Sequence, residues 1–125
     1  MKSNGNLKRY LQLNNKYIKD ADECIKKGDY SQASEKIWGA FATILKAIAA
    51  QRRKTIKTHE GISFFLAQVS KELKDESINN IGLIADGLHQ NFYENVKHPD
   101  AIKKGTKTIK QFITRMRNRF NLNES

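Results

Sequence analysis

The residues best suited to chemistry lie in one basic stretch that ends at a histidine. Arg52, Arg53, Lys54 and Lys57 occur there without an acidic residue between them, and His59 follows at the expected start of a helix. Backbone N–H groups at a helix N-terminus attract anions, and neighbouring cations strengthen that attraction. The stretch therefore predicts an anion-binding site, although His59 could instead serve only as a helix cap.

A second candidate region surrounds His89 and Tyr93. The ring of Tyr93 could stack on a nucleic-acid base, although aromatic residues on a helical stripe more often pack in a core. His89 follows the apolar Leu88 and could be a half-buried histidine with satisfied hydrogen bonds. Trp38 is interpreted as core or interface packing, and Cys24 as a small buried side chain rather than a nucleophile.

The spacing of the histidines does not indicate a metal site. His59, His89 and His98 lack the i,i+4 pairing of helical zinc ligands, and a single cysteine excludes both a cysteine-based zinc site and a disulfide framework. The sequence has no P-loop, no glycine-rich dinucleotide turn and no nucleophile elbow. We therefore expect neither a metal nor a cofactor.

Basic residues are concentrated in two segments of a chain whose net charge is +10. Residues 51–58 contain four basic and no acidic side chains, and residues 97–119 contain eight basic and one acidic, with Lys103 and Lys107 among them. Such clustering favours RNA or a nucleotide as partner over a lysine-rich surface that only aids solubility. A membrane surface is less favoured, because no basic amphipathic segment rich in Trp or Phe stands apart from the core pattern.

Helices must position these residues, because apolar side chains recur at spacings of three and four along the whole chain. The apolar stripes run over residues 7–25, 30–48, 62–73, 78–96 and 102–120. Gly28 is expected to end the first helix, after about 20 residues, and the residue before Pro99 is expected to interrupt the last two. The expected N-caps are Asp29 or Ser31, Thr58 and Ser77.

Five helices joined by short loops predict an all-α fold, an up-and-down bundle of four to five antiparallel helices. We expect a single domain over residues 1–125 with frayed tails at 1–5 and 121–125, and the alanine-rich second helix at its centre. No apolar stretch approaches 18 residues and no signal-peptide pattern occurs, so we expect a cytoplasmic protein without a membrane span.

Four runs of the sequence carry a family resemblance. They are KGDYSQASEKIWGA at 27–40, LKA at 45–47 followed by TH at 58–59, and LHQNFYE at 88–94. Together they resemble the archaeal PaREP family, part of the HEPN superfamily of helical domains, over residues 6–118. The resemblance implies a HEPN-like bundle that usually forms a homodimer.

Many HEPN domains are metal-independent RNases, often toxins paired with a nucleotidyltransferase antitoxin. Their motif is an arginine followed, after four to six residues, by a histidine that acts on the ribose 2′-OH while the arginine stabilises the phosphate charge. Arg53 and His59 have this spacing, as do Arg52 and His59. In the RNases, however, the motif lies later in the chain, where this sequence has His89 without a preceding arginine.

We therefore interpret the chain as a non-catalytic HEPN-like module that binds RNA, a nucleotide or a protein through a basic surface. The residues assigned to that surface are Arg52, Arg53, Lys54, Lys57, His59, Tyr93, Lys103 and Lys107. One alternative is a metal-independent endoribonuclease with Arg53, His59 and His89 as candidate catalytic residues. Another is an adaptor that docks a nucleotidyltransferase. All three functions use the same fold, so the fold alone does not choose between them.

Overall fold

Five helices account for the regular structure of the described part of the chain. The computed structural model describes the backbone of residues 2–122 and the side chains of residues 6–122. The helices are α1 (Lys2–Lys26), α2 (Tyr30–Gln51), α3 (His59–Glu72), α4 (Ile78–Glu94) and α5 (Pro99–Arg119). Over this described part no strand occurs, which confirms the all-helical prediction, and none of the five helices is long and apolar enough to cross a membrane.

The tails expected to be frayed, residues 1–5 and 121–125, lie partly outside the described residues. Met1 and residues 123–125 lie outside the described residues, whereas α1 is helical from Lys2 onward. Leu122 is only 1% exposed and its backbone N–H donates to the carbonyl of Arg117. The packed part of the chain therefore extends to Leu122.

The central helix is α2, which contacts each of the other four. Its small residues allow a close approach of α1, since a Cβ added at Gly39 would lie 3.1 Å from the ring of Tyr17. Asn14 of α1 is fully buried and donates from Nδ2 to the carbonyl of Ala40 and to the hydroxyl of Thr43. Packing and buried hydrogen bonds together hold α1 on α2, as the alanine-rich sequence predicts.

The up-and-down order is interrupted at α3, which runs parallel to α2. The ring of His59 at the start of α3 contacts Trp38 in the first half of α2, and Glu72 at the end of α3 pairs with Arg52 just beyond α2. Trp38 and Arg52 are separated by a helical rise of about 21 Å. The connector 53–58 must therefore return along α2, a distance that six residues cover only when nearly extended, at about 20 Å.

The remaining helices keep the expected alternation. α4 runs antiparallel to α2, because the carbonyl of Phe92 near its end accepts a hydrogen bond from Ser31 at the start of α2. α5 runs parallel to α2, because Gln51 at the end of α2 donates to the carbonyl of Phe120 at the end of α5. The exception at α3 thus arises from the connector and not from the helices themselves.

Two of the expected N-caps are confirmed and one is wrong. Asp29 accepts from the backbone N–H three residues later at 3.2 Å, and Thr58 does the same at 2.9 Å. Ser77 precedes α4 but makes no capping hydrogen bond. Its N–H and its hydroxyl both donate to the carboxylate of Asp75, so the serine closes the preceding turn instead of the helix.

The break between α4 and α5 begins earlier than Pro99 alone would require. α4 ends at Glu94, and the residue that follows it as the C-cap, Asn95, has a left-handed backbone with φ of 51°. Pro99 is then the first residue of α5, and His98 caps that helix by accepting from the backbone N–H of Asp100. The predicted interruption near Pro99 is therefore confirmed, with proline at the start of a helix where its missing N–H is harmless.

Candidate functional site

His59 and His89 lie side by side, with ring centroids 5.4 Å apart. His59 is the first residue of α3, and His89 lies in the second half of α4. Both rings pack on Trp38 of α2, His89 stacked at 4.3 Å and His59 edge-on at 5.4 Å. The ring of Tyr93 contacts that of His89 at 5.6 Å. We call the following six residues the histidine cluster: Glu35, Trp38, His59, Asp86, His89 and Tyr93.

Each imidazole of the cluster is held by its own carboxylate. His59 Nε2 lies 3.0 Å from Asp86 Oδ1, and His89 Nδ1 lies 3.0 Å from Glu35 Oε1. A neutral imidazole in such a contact carries its proton on the nitrogen that faces the carboxylate. His59 Nδ1 and His89 Nε2 then remain as proton acceptors. A histidine oriented by a carboxylate is the arrangement that acid–base catalysis uses.

The cluster is open to solvent on one side and contains an unpaired donor. The side chain of His59 is 49% exposed and Tyr93 is 71% exposed, whereas that of His89 is 26% exposed. Trp38 Nε1 is buried and has no hydrogen-bond partner among the described residues. A buried donor without a partner costs about 1–3 kcal/mol, so an acceptor placed beside the indole would recover that free energy.

Helical spacing explains how two helices present five of the six residues. Glu35 and Trp38 are three residues apart in α2 and therefore share a face. Asp86, His89 and Tyr93 follow one another at intervals of three and four along one face of α4. Glu35 and Asp86 are not among the candidate site residues predicted from the sequence. The signal that could have found them is an acidic residue three positions before an aromatic or imidazole ring on the same helix.

Asn91 fixes the register of α4 and hence the place of His89. It is 1% exposed, and its Nδ2 donates to the hydroxyl of Ser34 at 3.0 Å. Its Oδ1 accepts from the backbone N–H groups of Val96 and Lys97, at 2.9 and 2.8 Å. One buried amide therefore ends α4 and joins it to α2 two residues away from His89.

Arg52 does not reach the histidine cluster. Its guanidinium donates two hydrogen bonds to the carboxylate of Glu72, at 2.6 and 2.7 Å, and lies over the rings of Phe65 and Phe120. These hydrogen bonds hold the pKa of Glu72 below its usual range. Arg52 therefore fastens the end of α2 to the end of α3, about 21 Å along α2 from Trp38.

The other cations of the connector are exposed, and the structure does not bring Arg53 next to His59. Arg53 follows α2 directly and has a left-handed backbone with φ of 60°. His59 lies at the opposite end of the connector 53–58, beyond Lys54 and Lys57. Among these basic residues Lys57 is the nearest to His59 along the chain, and its side chain is exposed.

Lys103 and Lys107 lie elsewhere, in a groove between α1 and α5. The ammonium of Lys103 lies 5.8 Å from the ring centroid of Tyr30. The structure thus brings His59, His89 and Tyr93 together and places the two lysines on a surface formed by other helices. Among the described residues no group of three or more His, Cys, Asp or Glu side chains is arranged to hold a metal ion.

The sequence model of the archaeal PaREP1/PaREP8 family matches residues 9–113. The matched range covers most of the chain and contains the whole histidine cluster. No curated protein matches the chain.

Proposed function

The chain belongs to the archaeal PaREP1/PaREP8 family, and we propose that it is a HEPN-like module that binds RNA or a nucleotide at the histidine cluster. The observation that carries this proposal is the convergence of His59 and His89 on the ring of Trp38, from two separate helices. Neither imidazole is needed there to fill the core, since both are partly exposed.

The chemistry of the cluster suits a base attached to a phosphate. The exposed ring of Tyr93 offers a stacking surface, and stacking of one base on an aromatic ring contributes about 1–3 kcal/mol. The free ring nitrogens of the imidazoles accept hydrogen bonds from the base when neutral and donate to the phosphate when protonated, and the buried N–H of Trp38 is a further donor. Because the two carboxylates offset much of the charge of protonated imidazoles, the phosphate needs a further cation. Lys57 is the candidate that the connector provides.

A second function, metal-independent cleavage of RNA, is favoured by the two histidine–carboxylate contacts. One imidazole would take the proton of a ribose 2′-OH, whose oxygen attacks the adjacent phosphorus. The other would protonate the departing 5′-oxygen, leaving a 2′,3′-cyclic phosphate and a free 5′-hydroxyl. Ring centroids 5.4 Å apart allow both imidazoles to reach one phosphodiester. This pairing of two histidines differs from the arginine–histidine pair that the HEPN resemblance implies.

One set of variants tests both functions. Binding of a fluorescent oligoribonucleotide is measured in EDTA, together with the fluorescence of Trp38, the only tryptophan of the chain. We expect His89→Gln and Tyr93→Ala to weaken binding about tenfold or more, because each loses stacking or hydrogen bonding to the ligand. His98→Asn is the matched control, since it removes the remaining histidine and retains a residue able to cap α5.

The outcomes separate the two functions. Cleavage in EDTA that is lost in His59→Gln or His89→Gln would assign the RNase activity to the cluster. Binding that quenches the fluorescence of Trp38 without cleavage of the RNA would support the binding function and not the RNase. Binding that does not depend on His89 or Tyr93, or its complete absence, would contradict the proposal.

We also propose that the chain self-associates, as the HEPN resemblance implies. Three apolar side chains support this, because Phe64, Leu83 and Val96 are 71%, 70% and 76% exposed in the single chain. Burial of such side chains in a subunit contact is favourable. Light scattering is expected to give twice the chain mass of 14.4 kDa. A mass of one chain at micromolar concentration would contradict the homodimer.

A further inference from the structure

A groove of about 570 Å³ runs between α1 and α5, on helices that contribute nothing to the histidine cluster. Lys103, Lys107 and Lys110 line it from α5. Their spacing of four and three residues places them on one face of the helix, over an axial length of about 10 Å. The groove therefore presents a row of ammonium groups rather than one isolated charge.

The three lysines carry more positive charge than the acidic side chains of the groove neutralise. Lys110 Nζ lies 3.0 and 3.1 Å from the two carboxylate oxygens of Asp22 on α1. Lys103 contacts the ring of Tyr30, which carries no charge. Lys107 is exposed and forms neither an ion pair nor a hydrogen bond with the described residues. Three ammonium groups therefore share a single carboxylate.

Thr106 adds an unpartnered hydroxyl to the same groove. It is 3% exposed, and its Oγ1 has no hydrogen-bond partner among the described residues. Threonine in a helix usually donates to the carbonyl four residues earlier, as Thr108 does to Lys104 at 3.1 Å. Thr106, two residues before Thr108 in the same helix, does not form this hydrogen bond to a backbone carbonyl. A buried polar group without a partner is costly and calls for a specific explanation, such as a ligand.

We propose that this groove binds the phosphate groups of a polyanionic ligand. Lys103 and Lys107 form the charge-assisted hydrogen bonds, and Thr106 donates its hydroxyl to a phosphate oxygen. In the free protein the carboxylate of Asp22 pairs with the ammonium group of Lys110, so Asp22 competes with the ligand for this lysine. A row of this length suits two or more successive phosphates, which a free polyphosphate group or the backbone of single-stranded RNA both supply. The inference does not depend on the function proposed for the histidine cluster.

The test measures binding of inorganic tripolyphosphate and of oligouridylate to the full chain by calorimetry at low salt. We expect Lys107→Gln and Lys103→Gln each to weaken binding about tenfold, as the loss of one charge-assisted hydrogen bond predicts. Lys104→Gln is the matched control. It removes the same charge from the neighbouring residue, which lines the groove between α4 and α5 instead. We expect it to change the affinity little.

Two further variants distinguish a built site from a charged surface. Asp22→Asn is expected to tighten binding several-fold, because it removes the competing carboxylate and releases Lys110. Thr106→Val keeps the shape of the side chain and removes the hydroxyl, so it is expected to weaken binding without loss of stability. Circular dichroism of each variant checks that it is folded.

Each outcome decides a part of the proposal. Tripolyphosphate that displaces oligouridylate indicates a site for phosphate groups of either source, whereas binding of oligouridylate alone indicates the RNA backbone. Two results would overturn the proposal that the groove is a binding site. One is that Lys104→Gln weakens binding as much as Lys107→Gln does. The other is that Asp22→Asn leaves the affinity unchanged. The fluorescence of Trp38 separates the two sites, because ligand in the groove is expected to leave it unaltered. A ligand that quenches the fluorescence of Trp38, and whose affinity is unchanged by Lys107→Gln, binds at the histidine cluster.

Discussion

Asn91 Nδ2 donates a hydrogen bond of 3.0 Å to Ser34 Oγ, and this buried contact joins α4 to α2 next to the histidine cluster. Both side chains are almost fully buried, at 1% and 0% exposure. The hydroxyl of Ser34 donates in turn to the carbonyl of Tyr30. The position of His89 over Trp38 therefore depends on a buried polar network formed by Asn91, Ser34 and the carbonyl of Tyr30.

Replacement of Asn91 tests this dependence. Asn91→Ala leaves two backbone N–H groups at the end of α4 without their acceptor and removes a hydrogen bond to Ser34. We expect the free energy of unfolding to fall by about 2–3 kcal/mol, as for the loss of several buried hydrogen bonds. Urea denaturation measures the change. The exposed neighbour Gln90→Ala is the control, expected within about 0.5 kcal/mol of the wild type. Equal stability of the two variants would refute the role of Asn91.

Local signals in the sequence explain why the helices could be predicted. The apolar stripes, the stop at Gly28 and the caps Asp29 and Thr58 each depend on residues within a few positions of one another. Ser77 has the residue type of a cap, but its hydroxyl is directed at the carboxylate of Asp75, to which it donates, and its oxygen accepts no hydrogen bond from the start of α4. Side-chain competition of this kind is decided by the three-dimensional turn and not by residue type.

The histidine cluster could not be predicted in the same way. His59 and His89 are thirty residues apart and meet only because α3 runs parallel to α2. That direction follows from the connector 53–58, which consists of polar residues around Ile56 and has no local signal for an extended path. In the sequence, Arg53 and His59 look like a pair because six positions separate them. In an extended segment, six positions separate the backbones of Arg53 and His59 by nearly 20 Å.

The contact between α1 and α2 depends on the missing side chain of Gly39. In Gly39→Ala the new Cβ would lie 3.1 Å from the ring of Tyr17, which is tighter than nearly all contacts of this kind. We expect the free energy of unfolding to fall by about 1–2 kcal/mol, because the ring and α1 must shift. Gly87→Ala is the matched control, since its nearest neighbour is the flexible side chain of Lys97 at 3.4 Å.

Alanine has the higher helix propensity, so Gly87→Ala is expected to be neutral or to stabilise the protein by up to about 1 kcal/mol. Thermal unfolding of both variants measures the difference. A Gly39→Ala protein as stable as Gly87→Ala would show that α1 adjusts to the added methyl group without penalty.

Cys24 is expected to react slowly in the folded protein. Burial raises the pKa of its thiol, and the nearby carboxylate of Asp29 acts in the same direction. Because the thiolate is the reactive form, a raised pKa lowers the reactive fraction at neutral pH. The rate of reaction with a disulfide reagent at pH 7 should be well below that of free cysteine, and urea should restore it. Cys24 is the only cysteine and its side chain is partly buried, so a fast reaction in buffer would contradict the protection that this partial burial gives.

The pair formed by Glu72 and Arg52 predicts a pH dependence of stability with a definite sign. Hydrogen bonds from Arg52 hold the pKa of Glu72 below its usual value in the folded protein. The unfolded chain therefore takes up the proton at higher pH than the folded chain does. The stabilisation is present above the pKa of the unfolded chain and is lost as the pH falls through the lower pKa of the folded protein.

Comparison of the wild type with Glu72→Gln isolates this contribution. The variant is expected to have the lower melting temperature at pH 7, and the difference should shrink as the pH falls through the acidic range. Introduced into an Arg52→Gln background, the same substitution should have an effect that hardly varies with pH. Thermal unfolding followed by circular dichroism from neutral to acidic pH measures all four proteins. A difference between wild type and Glu72→Gln that stays constant with pH would mean that the charge of Glu72 does not contribute to its contact with Arg52.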